Sequence, residues 1–376
     1  MGTLFDYIKW RGDLSFSQAP LNDVDSLIFS LISYIDFQGI VPSGFVGAVP
    51  IKAAANTFFA RNPNYKKYSM GLIVPKEIVK LFRDLKDTKR FRNVNMAAYV
   101  NEIDTEREIQ FSATTFFPGD GSAVVTYRGT DDTLVGWKED FNMSFLSVVP
   151  AQIAATEYLN RAARSFDGPL YVTGHSKGGN LSVYAAVHAD REVQDRIMQI
   201  WSNDGPGFSK EIVESEPYLR MHPLIRSFVP ESAVVGMLLE HTENYMVVKS
   251  KQTGLLQHNG LNWEVMGGSF VHVAHVTSES KRIDRTIRQW IGGLTPEQRE
   301  IFIESIYQIL SADDALTLTE LVGAKKKWLA RSKDLDPQVR KTVQEVLSAL
   351  ININTKNLLV GILPSKGADK GIKDGQ

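Results

Sequence analysis

The chain has 376 residues, a length that suggests either one large domain with additions or two domains. Its 43% hydrophobic and 23% charged residues are typical of a globular protein and exclude disorder of the whole chain. The formal net charge of −1 provides no overall field that would recruit nucleic acid or an anionic membrane. Because the chain has no cysteine, disulfides, thiolate metal sites and a cysteine nucleophile are excluded, which fits a reducing compartment.

No targeting or membrane-spanning segment is evident in the sequence. The N-terminus lacks the basic segment followed by an apolar segment that is typical of a signal peptide. No stretch reaches the roughly 18 uninterrupted apolar residues that a membrane span needs. We therefore expect a soluble cytoplasmic protein without a transmembrane segment. Peripheral contact of this protein with a membrane or lipid surface is compatible with that expectation.

The first third of the chain carries two helical patterns. Apolar residues at helical spacing follow a capping pair, Asn22 and Asp23, over residues 27–35, and the same spacing recurs after Pro75 over residues 78–85. Each pattern predicts an amphipathic helix with one buried face.

Strand patterns begin in the second third of the chain. Two β-rich runs on either side of Pro118-Gly-Asp-Gly121 predict an antiparallel hairpin. Strand–helix–strand alternation follows the hairpin and predicts a mostly parallel central sheet with helices on both faces. The predicted elements are strands at 109–117, 123–127, 170–173, 197–201 and 245–249, and helices at 152–166 and 180–189.

The last quarter of the chain has no strand pattern. Helix starts at Thr295-Pro and Asp336-Pro precede apolar residues at helical spacing. We therefore expect a main domain over residues 1–290, a C-terminal helical appendage over 295–360, and a flexible Gly/Lys/Asp-rich tail over 361–376.

The sequence Gly174-His-Ser-Lys-Gly178 is the one G-x-S-x-G match in the chain. It lies directly after a predicted strand and directly before a predicted helix, which is the context of a nucleophile elbow. Glycines at both ends let strand and helix approach, so that Ser176 is exposed on a tight turn. The amide of Lys177 then lies at the helix N-terminus, where it can stabilise an oxyanion.

The elbow resembles the G-H-S-[LK]-G-G sequence of lipase-like α/β hydrolases, particularly the class-three lipase group. Arg128-Gly-Thr130, followed by Trp137-x-x-Asp140, is similar to that group's R-G-[ST] and W-x-x-D segments. A bacterial group of lipase-like proteins with the same lysine after the serine is similar too. The resemblance implies an α/β-hydrolase fold, ester hydrolysis, and a share of the oxyanion hole for Thr130.

Triad order in this fold is serine, then acid, then histidine. His258 follows the predicted strand at 245–249 through a loop, and with Gly260 and Trp263 it resembles the family's H-x-G…W segment. We therefore predict that His258 is the general base. His272 and His275, three residues apart, lack a third ligand, and we interpret them as one face of a helix rather than a metal site.

Two residues are candidates for the acid of the triad. Asp204 directly follows a predicted strand and precedes Gly205-Pro-Gly207, a position from which a carboxylate can orient an imidazole. Glu231 lies where class-three lipases carry D-[IV]-V-P, although the aspartate of that motif is missing here. We favour Asp204 and keep Glu231 as the alternative. The apolar segment 232–240, which falls between acid and base in the chain, is a lid, an acyl-binding wall or a core helix.

The leading hypothesis is a serine hydrolase that cleaves carboxylic esters of small acyl substrates through an acyl-enzyme, with no cofactor and no metal. The same residues would also serve an acyltransferase or a thioesterase, because fold does not determine substrate. A catalytically silent hydrolase-fold binding module is the non-enzymatic alternative.

Overall fold

A computed structural model describes residues 1–71, 73–143, 148–240, 245–282 and 284–285, together with Thr295, Glu304, Tyr307 and Thr317. Almost all residues of the main domain predicted over 1–290 are therefore among the described residues. The helical appendage predicted at 295–360, except for those four residues, and the tail predicted at 361–376 lie outside it.

A nine-stranded mixed sheet forms the centre of the described fold, and a two-stranded hairpin lies beside it. The order in the large sheet is β1-β2-β3-β4-β5-β6-β7-β8-β11, and β9 pairs with β10. The strands are β1 (Val49–Pro50), β2 (Asn95–Asp104), β3 (Ile109–Phe117), β4 (Ala123–Tyr127), β5 (Leu170–His175), β6 (Ile197–Asn203), β7 (Ile225–Pro230), β8 (Met246–Val248), β9 (Val265–Met266), β10 (Ser269–Phe270) and β11 (His272–Val273).

Neighbouring strands from β4 to β8 run parallel. The antiparallel pairs lie at the two sides of the sheet, where β1 to β4 pair in sequence and β11 pairs with β8. The predicted hairpin is the β3–β4 pair. Strand β2, where no strand was predicted from the sequence, extends the sheet beyond β3. This is an α/β-hydrolase fold with a parallel centre.

Helices cover both faces of the sheet. They are α1 (Leu4–Arg11), α2 (Asp23–Ile32), α3 (Ile51–Arg61), α4 (Glu77–Leu85), α5 (Leu134–Asn142), α6 (Pro150–Arg164), α7 (Lys177–His188), α8 (Arg191–Gln194), α9 (Lys210–Val213) and α10 (Glu216–Met221). Short 3-10 turns occur at Tyr65–Lys67, His222–Leu224, Val235–Met237, Gly254–His258 and Gly260–Asn262.

The order of the strands explains which helix lies on which face. Parallel strands that follow one another in both sequence and space, joined by right-handed crossovers, place the connecting helices on one face. The helices α6 and α7 pack there against β3 to β6. The N-terminal segment packs on the opposite face, where α2 lies on β5.

The sequence explains why α2 begins where it does. Asn22 caps the helix, since its Oδ1 accepts hydrogen bonds from the backbone N–H groups of Val24 (3.0 Å) and Asp25 (3.2 Å). Every residue from Val24 to Ile32 is buried, because α2 lies between the sheet and α4. In the part of the chain that the structure describes, no helix has the length and apolar character to cross a bilayer.

Candidate active site

Ser176 lies at the turn between β5 and α7. Strand β5 ends at His175, α7 begins at Lys177, and Ser176 between them has φ +59° and ψ −132°. A residue other than glycine rarely adopts a positive φ, and such strain costs on the order of 1–3 kcal/mol. The backbone N–H of Ser176 donates to the carbonyl of Asn203 (3.0 Å), which ties the turn to the end of β6. The side chain is half-buried.

Two glycines allow this turn to be so tight. A Cβ on Gly174 would collide with the backbone of Gly178, and a Cβ on Gly178 would collide with the carbonyl of Tyr127 at the end of β4. Strand, turn and helix therefore approach each other at distances that any larger residue would prevent.

Asp204 and His258 form a hydrogen-bonded pair near this turn. Asp204 directly follows β6 with φ +52°, and its backbone N–H donates to the carbonyl of Phe228 (2.7 Å). Its carboxylate Oδ2 lies 2.6 Å from Nδ1 of His258, and its Oδ1 accepts from the backbone N–H of Gly236 (3.1 Å). The side chain of Asp204 is 1% exposed and that of His258 is 28% exposed. A buried carboxylate thus orients a histidine that solvent can reach.

The hydrogen bond to Asp204 determines the tautomer of His258. A carboxylate only accepts, so Nδ1 carries the hydrogen and Nε2 is left as a proton acceptor. Such an imidazole can act as a general base toward a hydroxyl group.

The segment 232–240 packs against the acid. It contains the 3-10 turn Val235–Met237, and Gly236 lies so close to Asp204 that a Cβ would collide with its carboxylate. The core-helix interpretation of this segment is therefore wrong, because the chain there is wrapped around the Asp204 side chain in a single short turn.

Glu231, the alternative acid, lies at the end of β7. Its backbone N–H donates to the carbonyl of Val248 (3.1 Å), and its own carbonyl accepts from Thr277 (2.7 Å). Among the described residues, the carboxylate that contacts His258 is that of Asp204.

A second histidine, not singled out from the sequence, supports the first. Nε2 of His175 lies 2.8 Å from the carbonyl of His258, and Nδ1 lies 3.1 Å from the hydroxyl of Tyr34. Since a carbonyl only accepts, Nε2–H donates to it and the Tyr34 hydroxyl donates to Nδ1. Burial lowers the pKa of His175 to about 3, so this ring is neutral. In the sequence, the only sign that His175 belongs to the site is its position directly before Ser176.

Thr130 follows a residue that lies close to Ser176. A Cβ on the preceding residue, Gly129, would lie 3.0 Å from Cβ of Ser176. The Thr130 hydroxyl donates to Oδ2 of Asp140 (2.5 Å). Because that hydroxyl has one hydrogen, which Asp140 accepts, the group of Thr130 that can donate to a bound oxyanion is its backbone N–H. The backbone N–H of Lys177, in the first turn of α7, belongs to the amides that a helix leaves without an internal partner.

The carboxyl of Asp140 has an altered acidity. Burial raises its pKa to about 6, against the opposing effects of the Lys177 charge and the Thr130 hydrogen bond. The side chain as a whole is 32% exposed, but its Oδ1 atom is buried.

The two histidines interpreted as a helix face are not helical. His272 belongs to β11, which pairs with Val247–Val248 of β8, and His275 lies in the bend that follows. That interpretation is wrong because the backbone here is extended to add an edge strand. Within the described residues, no group of three or more His, Cys, Asp or Glu side chains could hold a metal ion.

Solved lipase structures are similar to this chain at low sequence identity. A Rhizomucor miehei lipase–propeptide complex is 11% identical, covers 62% of this chain and 71% of its own, and has a TM-score of 0.34. The structure described as M37 lipase is 14% identical, covers 71% of this chain and 92% of its own, and has a TM-score of 0.36. A comparison with curated proteins finds no match.

A protein-family model described as Mbeg1-like matches residues 85–308. The match takes in Ser176, Asp204 and His258 as well as the strands β2 to β11, and it excludes the N-terminal helices that cover the opposite face. Since it spans more than half of the 376 residues, the chain belongs to the Mbeg1-like family.

Proposed function

We propose that this protein is a serine hydrolase that cleaves carboxylic esters through an acyl-enzyme intermediate. The observation that carries the proposal is the 2.6 Å hydrogen bond between Asp204 and His258, next to a serine held at positive φ on a strand-to-helix turn. Strain of this kind is typical of functional sites, since a turn that only joins two elements has no need of it.

The proposed first step is attack by Ser176. Nε2 of His258 takes the proton from Oγ of Ser176 while Oγ adds to the carbonyl carbon of the ester. The oxyanion that forms accepts hydrogen bonds from the backbone N–H groups of Lys177 and Thr130. The alcohol then leaves with the proton from His258.

In the second step, water attacks the acyl-enzyme with His258 again as base, and the free acid leaves. Asp204 stabilises the imidazolium that forms in each step.

The surroundings of His258 favour an acyl group with apolar character. Leu256, on the same 3-10 turn as His258, is 50% exposed. An apolar side chain beside the base would contact an acyl chain or a lipid surface. A cytoplasmic location, consistent with the absence of cysteine, belongs to the same proposal.

Labelling with a fluorophosphonate tests the proposal. We expect the parent protein to take up one label on the peptide that contains Ser176, and Ser176→Ala to take up none, because the change removes only Oγ. Ser165→Ala, at an exposed serine after α6, is the matched control and should label as the parent does. If Ser176→Ala labels as fast as the parent, the nucleophile lies elsewhere.

A substrate panel then separates ester hydrolysis from the other chemistries of the same site. We expect turnover of p-nitrophenyl esters that exceeds turnover of the matching thioesters, and no acyl transfer to added alcohols. A protein that labels at Ser176 but hydrolyses only thioesters would be a thioesterase. A protein that neither labels nor turns over any ester would be a binding module.

A further inference from the structure

Lys177 directly follows the proposed nucleophile in the chain, and its side chain is buried. It is 1% exposed, and its three ammonium hydrogens are matched by three acceptors. These are the Gln110 carbonyl at 2.8 Å, Oε1 of Gln110 at 2.6 Å and Oε2 of Glu139 at 2.9 Å. The residue that supplies an oxyanion amide is thereby attached through its other end to strand β3 and helix α5.

Glu139 completes this connection. Its side chain is 0% exposed, and its carboxylate also accepts from the backbone N–H groups of Gln110 (3.1 Å) and Ala151 (2.8 Å). One ion pair therefore joins β3, α5, α6 and α7, with every charged atom hydrogen-bonded.

Stability alone gives a weak reason for such a pair. Burying two charges costs several kcal/mol per ion in lost hydration, and apolar replacements of buried ion pairs are often neutral or stabilising. Some buried pairs are instead retained because they define one geometry, and the position of this pair suggests which geometry it defines.

The pair is connected to both of the proposed oxyanion donors. Lys177 carries one donor on its own backbone. The residue after Glu139 is Asp140, which accepts the hydroxyl hydrogen of Thr130 at 2.5 Å and has its Oδ1 4.0 Å from Nζ of Lys177. Helix α5 is also held close to this region, since a Cβ on Gly136 would lie 3.1 Å from Thr130 Cγ2 and from Gln110 Oε1.

We propose that the buried Lys177–Glu139 ion pair is a positioning device that sets the separation of the two oxyanion donors, the N–H groups of Lys177 and Thr130. It fixes α7 to α5, and α5 fixes Thr130 through Asp140. Neither the ammonium of Lys177 nor the carboxylate of Glu139 touches the substrate. The inference rests on the proposed ester hydrolysis and assigns a task to two side chains that the hydrolysis itself does not use.

The test compares Lys177→Met and the double variant Lys177→Met/Glu139→Gln with the parent. For each protein we would measure kcat and KM for p-nitrophenyl butyrate, counted per site labelled by a fluorophosphonate, so that unfolded molecules do not contribute. The inhibition constant of a trifluoromethyl ketone with the same acyl chain is measured as well, because addition of Ser176 Oγ to the ketone carbonyl gives a hemiketal whose oxyanion lies where the two donors would hold it.

We expect the double variant to fold, because removal of both partners leaves no unpaired buried charge. Its kcat should fall about 10- to 100-fold, somewhat less than the loss expected when an oxyanion donor is deleted outright. KM should stay within about twofold of the parent value, and the trifluoromethyl ketone should bind more weakly by the same factor as kcat falls.

A second buried ion pair supplies the matched control. Arg90 and Asp25 are both 0% exposed and lie in the N-terminal part of the chain. Arg90→Met/Asp25→Asn should leave kcat per labelled site unchanged, whatever its effect on the melting temperature. A merely structural role for Lys177 and Glu139 would give the same result in their variants.

Two outcomes would overturn the inference. One is a folded variant whose kcat and ketone affinity lie within twofold of the parent. The other is failure of both variants to fold, which would make the pair a stability element. The parent protein alone tests the proposed function. If the parent shows neither labelling at Ser176 nor ester turnover, the proposed function itself is wrong.

Discussion

The carboxylate of Asp204 lies 2.6 Å from Nδ1 of His258, although 54 residues separate them in the chain. Two features of the fold produce this approach. Asp204 leaves the carboxyl end of β6 at a positive φ, and His258 ends a 3-10 turn that follows β8. The carboxyl ends of parallel strands meet at one edge of the sheet, and binding sites in such folds assemble at that edge.

The two candidate acids can be separated by substitution. Asp204→Asn should reduce kcat by about 10⁴-fold, as the equivalent change does in a serine-protease triad. The amide group would present a donor to Nδ1–H, and His258 would turn or change its tautomer. Glu231→Gln should retain most of the activity. The measurement is kcat on a p-nitrophenyl ester, with the melting temperature of each variant as a check on folding.

Asparagine keeps one oxygen to accept the N–H of Gly236, so the loop 232–240 should stay in place in Asp204→Asn. If Glu231→Gln is the inactive variant and Asp204→Asn the active one, the acid is the later residue.

Much of the central sheet could be predicted from the sequence, because buried parallel strands are short apolar runs between helical patterns. The hairpin β3–β4 and the strands β5, β6 and β8 correspond to predicted runs, whereas β7 was not predicted. Strand β2 was missed. Its sequence, NMAAYVNEID, contains an irregularity between Ala97 and Val100, which breaks the alternation on which a strand prediction depends.

The site was predictable to the extent that its chemistry lies in local motifs. The turn around Ser176 is such a motif, because strand, glycines and helix are contiguous in the chain. The contacts of the Lys177 ammonium are not local, since Gln110 and Glu139 are 67 and 38 residues away. Tyr34 likewise reaches His175 across 141 residues. Unlike Asp204 and His258, these residues lie in no motif of the sequence that would link them.

Removal of the Tyr34 hydroxyl tests its link to the base. Tyr34→Phe leaves Nδ1 of His175 without its donor, which should cost about 1 kcal/mol of the free energy of unfolding. The labelling rate of Ser176 should also fall several-fold, because His175 in turn holds the backbone of His258. Urea unfolding and fluorophosphonate kinetics measure the two effects.

Tyr171→Phe, on the same strand as His175, is the matched control for the loss of a tyrosine hydroxyl and should label as fast as the parent. A Tyr34→Phe variant that labels at the parent rate would show that this hydrogen bond does not position the base.

Chelation should leave ester hydrolysis unchanged. The proposed steps use Ser176, His258 and Asp204 and pass through no metal-bound species. The measurement is turnover before and after dialysis against EDTA. Activity that is lost on dialysis and returns with a divalent cation would contradict the mechanism.

The acidity of Asp140 predicts how stability changes with pH. Its pKa is about 6 in the folded protein, against an ordinary value of 3.8, with burial as the largest cause. Between about pH 4 and pH 6 the folded state therefore holds this proton more tightly than the unfolded state does. By linkage, the contribution of this group to stability is fully present below pH 4 and is lost as the pH rises through 6.

Asp140→Asn removes that dependence, while its amide oxygen still accepts the hydroxyl hydrogen of Thr130. The free energy of unfolding of the variant relative to the parent should therefore be higher at pH 7.5 than at pH 4, with most of the change between pH 4 and pH 6. Urea unfolding of both proteins across this range measures the difference, and groups that titrate alike in both cancel. A relative stability that stays constant with rising pH would show that the Lys177 charge and the Thr130 hydrogen bond balance the burial of the carboxyl group, and one that falls would show that they outweigh it.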